Sequence, residues 1–210
     1  MSAAEILRAE RAAMCDTFEA VGPDAPTLCD GWVTADLAAH LIVREHRPDA
    51  LPGVIIGGPF AAHTERLMGQ AKAKGYPAMI ATLRSGLPLL FRVGPGAFGN
   101  VMENWIHHED VRRANGEGPR PPDPELDAFL WRTLGLSGRF AARKVRPFGL
   151  ELDAGEGRHR VPGAADPRVV MRGAPGEIVL FLSGRKTGSE VELQGPPEAV
   201  QVLNDAKFGL

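Results

Sequence analysis

Cysteine is scarce in this chain of 210 residues, and Cys15 and Cys29 form no CxxC pair. Two cysteines cannot frame a disulfide scaffold, and their spacing does not fit a zinc finger. Long apolar runs are lacking as well. No stretch approaches the roughly 18 consecutive apolar residues of a membrane span. The start of the chain is polar at Ser2, Glu5 and Arg8, without the apolar run of a signal peptide. A dominant charge is also missing. The net charge of −2 argues against nucleic acid or a membrane surface as the main partner. These absences leave a cytoplasmic protein as the expectation.

What is present is ordinary for a globular protein with a sizeable core: 44% hydrophobic and 24% charged residues. The length allows one large domain or two small ones. Ser2 with Glu5 three positions on is a capping-box pattern. Leu7, Met14, Phe18 and Val21 then recur at helical spacing until Gly22-Pro23. After a loop from Pro26 to Trp32, Thr34 is placed to cap a second helix over 35–47, with Asp36 in its first turn. Pro48, Pro52, Gly53, Gly57, Gly58 and Pro59 predict a loop over 48–60. Further helices are expected over 61–74 and from Pro77 to about Pro88. Gly94 to Gly99 reads as a loop leading into a helix over 100–114, which Asn115-Gly116 ends. One more helix is expected over 125–144.

The character changes near residue 145. Phe148 to Leu152 and Arg158 to Val161 flank a glycine-rich turn and predict a β-hairpin. Val169 to Met171 and Val191 to Leu193 predict two further strands. Pro175 and Pro197 open two helices. The chain thus reads as mainly α, a helical bundle over 1–144 followed by a small α+β domain over 145–210. About 65 residues is near the lower limit of independent stability, so the second domain is expected to pack on the bundle.

Chemistry concentrates in Glu103-Asn-Trp-Ile-His107-His-Glu-Asp110. Residues four apart leave a helix on one face, so Glu103 and His107 can chelate one divalent ion. Asp110 shares that face and can accept the other imidazole N–H, whereas His108 lies about 100° further round. Such pairs also arise by chance on solvated helices. Asn100 with Glu103 could instead be a capping box, and Asp110 a surface aspartate paired with Arg112 or Arg113. His40, set among Ala and Leu in Asp36-Leu-Ala-Ala-His40-Leu, is by itself more often a core histidine. If the two helices face each other, it completes a two-His, one-carboxylate set with open positions. Zinc suits that set, and so do Ni(II), Fe(II) and Mn(II).

Gly94-Pro-Gly96-Ala-Phe-Gly99 matches the dinucleotide fingerprint literally, but it lacks the strand before it and the acidic residue after it. A loop between helices is the better reading. Cys29 reads as a small loop hydrophobe, and His46 and His63 as surface or interfacial residues.

Leu28-Cys-Asp-Gly-Trp32-Val-Thr-Ala-Asp36-Leu-Ala-Ala-His40 resembles the second-helix motif of the mycothiol-dependent maleylpyruvate isomerase family. Glu103 to Arg113 resembles that family's second metal motif, and the tail from Gly173 to Arg185 its smaller C-terminal domain. The resemblance implies a DinB-like, four-helix-type metal-binding bundle. It implies, position by position, His40, Glu103 and His107 as ligands of one divalent metal, zinc first. Asp110 then stands outside the ligand set as the partner that orients His107. The implied function is a mycothiol-dependent isomerase or thiol transferase whose partners are a small-molecule thiol and a small-molecule substrate. A metal-water hydrolase and a non-catalytic metal- or small-ligand-binding protein remain open beside it. The expected assembly is a monomer or weak homodimer.

Overall fold

A computed structural model of the chain describes residues 2–50, 61–88 and 94–209. Among these residues it is mainly α, with eight α-helices and one four-stranded sheet. In chain order the helices are α1 (Ala3–Val21), α2 (Thr34–His46), α3 (Ala61–Lys72), α4 (Tyr76–Ser85), α5 (Gly94–Ala114) and α6 (Pro124–Lys144). Strands β1 (Gly149–Asp153), β2 (His159–Gly163) and β3 (Arg168–Arg172) follow. Helix α7 (Pro175–Leu182), β4 (Glu192–Gln194) and α8 (Pro197–Asp205) come last. No helix among the described residues is long and apolar enough to cross a membrane.

By their contacts the residues form two compact units, Met1–Gly118 and Pro119–Leu210. This differs from a division at 144/145, because α6 packs on α7, β1 and β2. Helix α6 follows a proline-rich linker, and Phe129, Leu130, Leu134 and Ala141 along it are buried.

In the first unit, α1 packs on α4 and α5, while α2 packs on α3 and α4. Helix α1 starts as its sequence dictates. Ser2 Oγ accepts the Glu5 N–H at 3.3 Å, and Glu5 Oε2 accepts the Ser2 N–H at 2.7 Å. Its apolar stripe joins Met14, Cys15 and Phe18 to Leu37, Leu41, Met79, Ile80, Leu83 and Val111 in one core cluster. Each large side chain fully buried this way stabilises by roughly 1.5–3 kcal/mol. A charged clasp crosses the same packing: Arg11 donates to Glu45 at 2.8 and 2.5 Å and to the Leu83 carbonyl at 3.1 Å.

Two local expectations are corrected. Thr34 does not cap α2: its hydroxyl donates to the Ala25 carbonyl of the preceding loop, and Asp36 Oδ2 accepts the Val33 N–H instead. The Gly94–Gly99 stretch is not a loop but the opening of α5, so the literal fingerprint match marks helix. Pro95 falls in a first turn, where a missing amide hydrogen costs nothing. Helix α5 as a whole packs on α1, and such packing gives a helix more of its stability than residue propensity does. Asn100 therefore lies inside a helix, which removes the capping-box alternative for Glu103. Of the loop expected over 48–60, Pro48–Ala50 forms a short 3-10 turn, and 51–60 lies outside the described residues.

In the second unit the sheet order is β2-β1-β3-β4, with β1 antiparallel to β2 and parallel to β3, and β3 antiparallel to β4. The hairpin and the two later strands fall where sequence patterning placed them. Close approach of α6 depends on two glycines. A Cβ at Gly163 would lie 2.9 Å from Ala142 Cβ, and one at Gly138 would lie 3.1 Å from Leu152 Cδ1.

Candidate metal centre

Helices α2 and α5, both in the first unit, bring together His40 and the Glu103–His107 pair. The donor atoms of His40, Glu103 and His107 all lie within 4.8 Å of one another. Glu103 Oε1 is the point of convergence, 3.4 Å from His107 Nε2 and 4.0 Å from His40 Nε2. The two imidazole rings stand nearly perpendicular, with centroids 5.4 Å apart and planes at 74°. One turn of α5 sets the Glu103–His107 pair, and His40 reaches it from α2.

The other edge of the His107 ring is occupied. Asp110 Oδ2 accepts from Nδ1 at 2.9 Å, which turns Nε2 to the Glu103 side. Asp110 is completely buried, not a surface aspartate. Arg112 and Arg113 pair with Glu109 at 2.6 and 2.7 Å. His108 faces α1, with Nδ1 2.7 Å from Glu10 and Nε2 2.8 Å from the Thr17 hydroxyl. The helical phase that separated 107 from 108 is realised in these contacts.

The electrostatics favour a charged carboxylate at Glu103. Burial alone would raise the Glu103 carboxyl. Hydrogen bonds from His107 and His40, with the charges of His107 and Arg44, outweigh burial and hold it far below the usual carboxylate range. Burial pushes His40 down, towards the neutral imidazole that ligates metals. Burial also opposes a charge on His107, yet hydrogen bonds to Asp110, Cys29 and Glu103 raise that group well above its ordinary value. Glu103 is therefore held as the charged carboxylate, the form that ligates a cation. The donor set of two imidazoles and a carboxylate fits a divalent ion of the zinc type.

Three residues near the centre carry roles that sequence spacing alone did not assign. Arg44 lies one turn beyond His40, with Nε 3.2 Å from Glu103 Oε1 and Nη1 2.6 Å from Asn100 Oδ1. The same four-residue periodicity that joined Glu103 to His107 would have found it. Trp32 packs on the His40 ring at 5.2 Å between centroids. Cys29 is no mere loop hydrophobe. Its thiol donates to Asp110 Oδ2 at 3.1 Å and lies 3.9 Å from His107 Nδ1, so Cys29, His107 and Asp110 form a second cluster of donors. No sequence signal joins positions 81 residues apart.

No family model and no curated protein sequence matches the chain. Among solved structures, the crystal structure of the mycothiol-dependent maleylpyruvate isomerase is similar at a TM-score of 0.60 and 19% identity, over 91% of each chain. The chain thus shares the fold of that isomerase, as the two motifs implied.

Proposed function

We propose that this chain holds one divalent metal ion through His40, Glu103 and His107, and that it uses the ion with a small-molecule thiol in isomerisation or thiol transfer on a small substrate. One observation carries the reading: two imidazoles and a carboxylate from two helices converge within 4.8 Å, with the free edge of one ring already held by a buried aspartate. Zinc suits these donors best, and Ni(II), Fe(II) or Mn(II) can take the same set. Three protein ligands leave positions open, the pattern of a catalytic site rather than a structural one. A bound ion would supply Lewis acidity, favouring the thiolate form of a thiol placed beside it. The thiol reading is supported by the fold shared with an isomerase that depends on mycothiol.

The chain's own residues would do the rest. Asp110 keeps His107 in the tautomer that presents Nε2, and Trp32 holds the His40 ring. The test is a cobalt-substituted protein titrated with mycothiol or a simple thiol. A shift of the visible spectrum at saturating thiol is expected. Proton release and ester hydrolysis without any thiol would favour a metal-water hydrolase instead. Bound cobalt with neither response would leave a binding protein.

Asp110→Asn gives a separate expectation. The change keeps the side-chain shape while removing the charge that makes His107 a stronger base. Metal affinity measured by competition with a chelator is expected to fall ~10- to 100-fold. Wild-type affinity in this variant would show that the aspartate only fills space.

A further inference from the structure

The loop between α1 and α2 is tightly constructed for a stretch with no helix or strand of its own. Pro26 and Val33 close it as an isolated antiparallel bridge. Inside, the Thr27 hydroxyl accepts the Cys29 N–H at 3.1 Å and donates to the Trp32 carbonyl at 2.8 Å. The Trp32 N–H returns to the Cys29 carbonyl at 2.9 Å. Two further bonds clamp the loop to α5 and the residue just after it: Leu28 N–H to the Asp110 carbonyl at 3.0 Å, and Asn115 Nδ2 to the Pro26 carbonyl at 3.1 Å. The clamp brings Cys29 to Asp110 Oδ2, the same oxygen that accepts from His107. It also lays Trp32 against His40.

We infer that the Pro26–Val33 loop braces the candidate metal centre, and that Cys29 is a positioning residue acting on His107 through Asp110. The inference rests on the proposed metal reading. Two donors meet one Asp110 oxygen, His107 Nδ1 from α5 itself and the Cys29 thiol from a loop fixed at both ends. Together they restrain the carboxylate from turning about its Cβ–Cγ axis, so the imidazole it orients keeps one direction. Cys29 cannot be a ligand of the ion in this arrangement, because its sulfur lies on the Nδ1 edge of His107 while the other ligands lie on the Nε2 edge. The thiol faces Asp110 Oδ2 as a hydrogen-bond donor at 3.1 Å.

The test compares Cys29→Ala with Cys29→Ser, using cobalt(II) alone as the probe. Cys29→Ala is expected to bind cobalt about 10-fold more weakly, the lower end of what an outer hydrogen-bond partner contributes. Its visible spectrum should also change as the His107 ring reorients. Cys29→Ser keeps a donor at the same position and should restore most of the affinity and the wild-type spectrum. Unchanged cobalt affinity and spectrum in Cys29→Ala, or equal losses in both variants, would overturn the brace. A wild-type protein that takes up no cobalt would overturn the metal reading itself, so the two failures are distinct.

Discussion

His107→Ala is expected to abolish metal retention, whereas His108→Ala should keep the metal and lose stability instead. The neighbours differ by about 100° of helical phase, and the structure turns that angle into two environments. His107 presents Nε2 beside Glu103 Oε1 at 3.4 Å, while His108 is buried between Glu10 and Thr17 of α1. Removing a ligand should cost more than the roughly 10- to 100-fold that follows loss of an outer partner. His40→Ala and Glu103→Ala should behave like His107→Ala. His108→Ala removes hydrogen-bond partners from buried groups, at about 1–3 kcal/mol. Elemental analysis of each variant, purified without a metal-chelating tag, decides the matter beside a denaturant titration. Full metal content in His107→Ala with loss in His108→Ala would reverse the assignment.

The second large effect is expected at the Arg11–Glu45 clasp. Both side chains are almost fully buried, at 6% and 1% exposure, and the guanidinium spans the carboxylate with two short bonds. Glu45→Ala leaves a buried cation with the Leu83 carbonyl but without its counter-charge. Breaking such a pair on one side typically costs ~3–5 kcal/mol. That is a large share of the roughly 5–15 kcal/mol by which domains are stable. Replacing both partners, as Arg11→Met with Glu45→Leu, should recover most of the loss, because the cost is an uncompensated charge and not a missing attraction. Urea unfolding followed by tryptophan fluorescence measures both variants. A loss below about 1 kcal/mol in Glu45→Ala would place the pair among solvent-screened ones.

What could be read from sequence divides by the range of the interaction. The Ser2–Glu5 box and the start of α6 after Asp123 are local, and both appear where their residues place them. Asp123 caps α6 by accepting from Glu125 and Leu126. The Thr34 cap failed because its hydroxyl found a carbonyl nine residues back, a contact that only the folded loop creates. The start of α5 was read too late, since three glycines signal a loop unless a packed neighbour compensates. At the candidate site, Glu103, His107 and Asp110 share one helix, so their common face followed from pitch alone. His40 needed two helices to meet, and that required the motif resemblance. Cys29 and the Arg11–Glu45 pair, 34 positions apart, have no periodicity to betray them.

The sheet of the second unit ends in two edges that resist extension. Its β2 edge carries Pro162, which offers no amide hydrogen to an incoming strand, and its β4 edge is three residues long. An unpaired strand edge is a template on which another chain can add, the route by which sheet proteins aggregate. Here one edge lacks a donor and the other lacks length. At high protein concentration, strand-by-strand growth through this sheet is therefore disfavoured by the backbone itself.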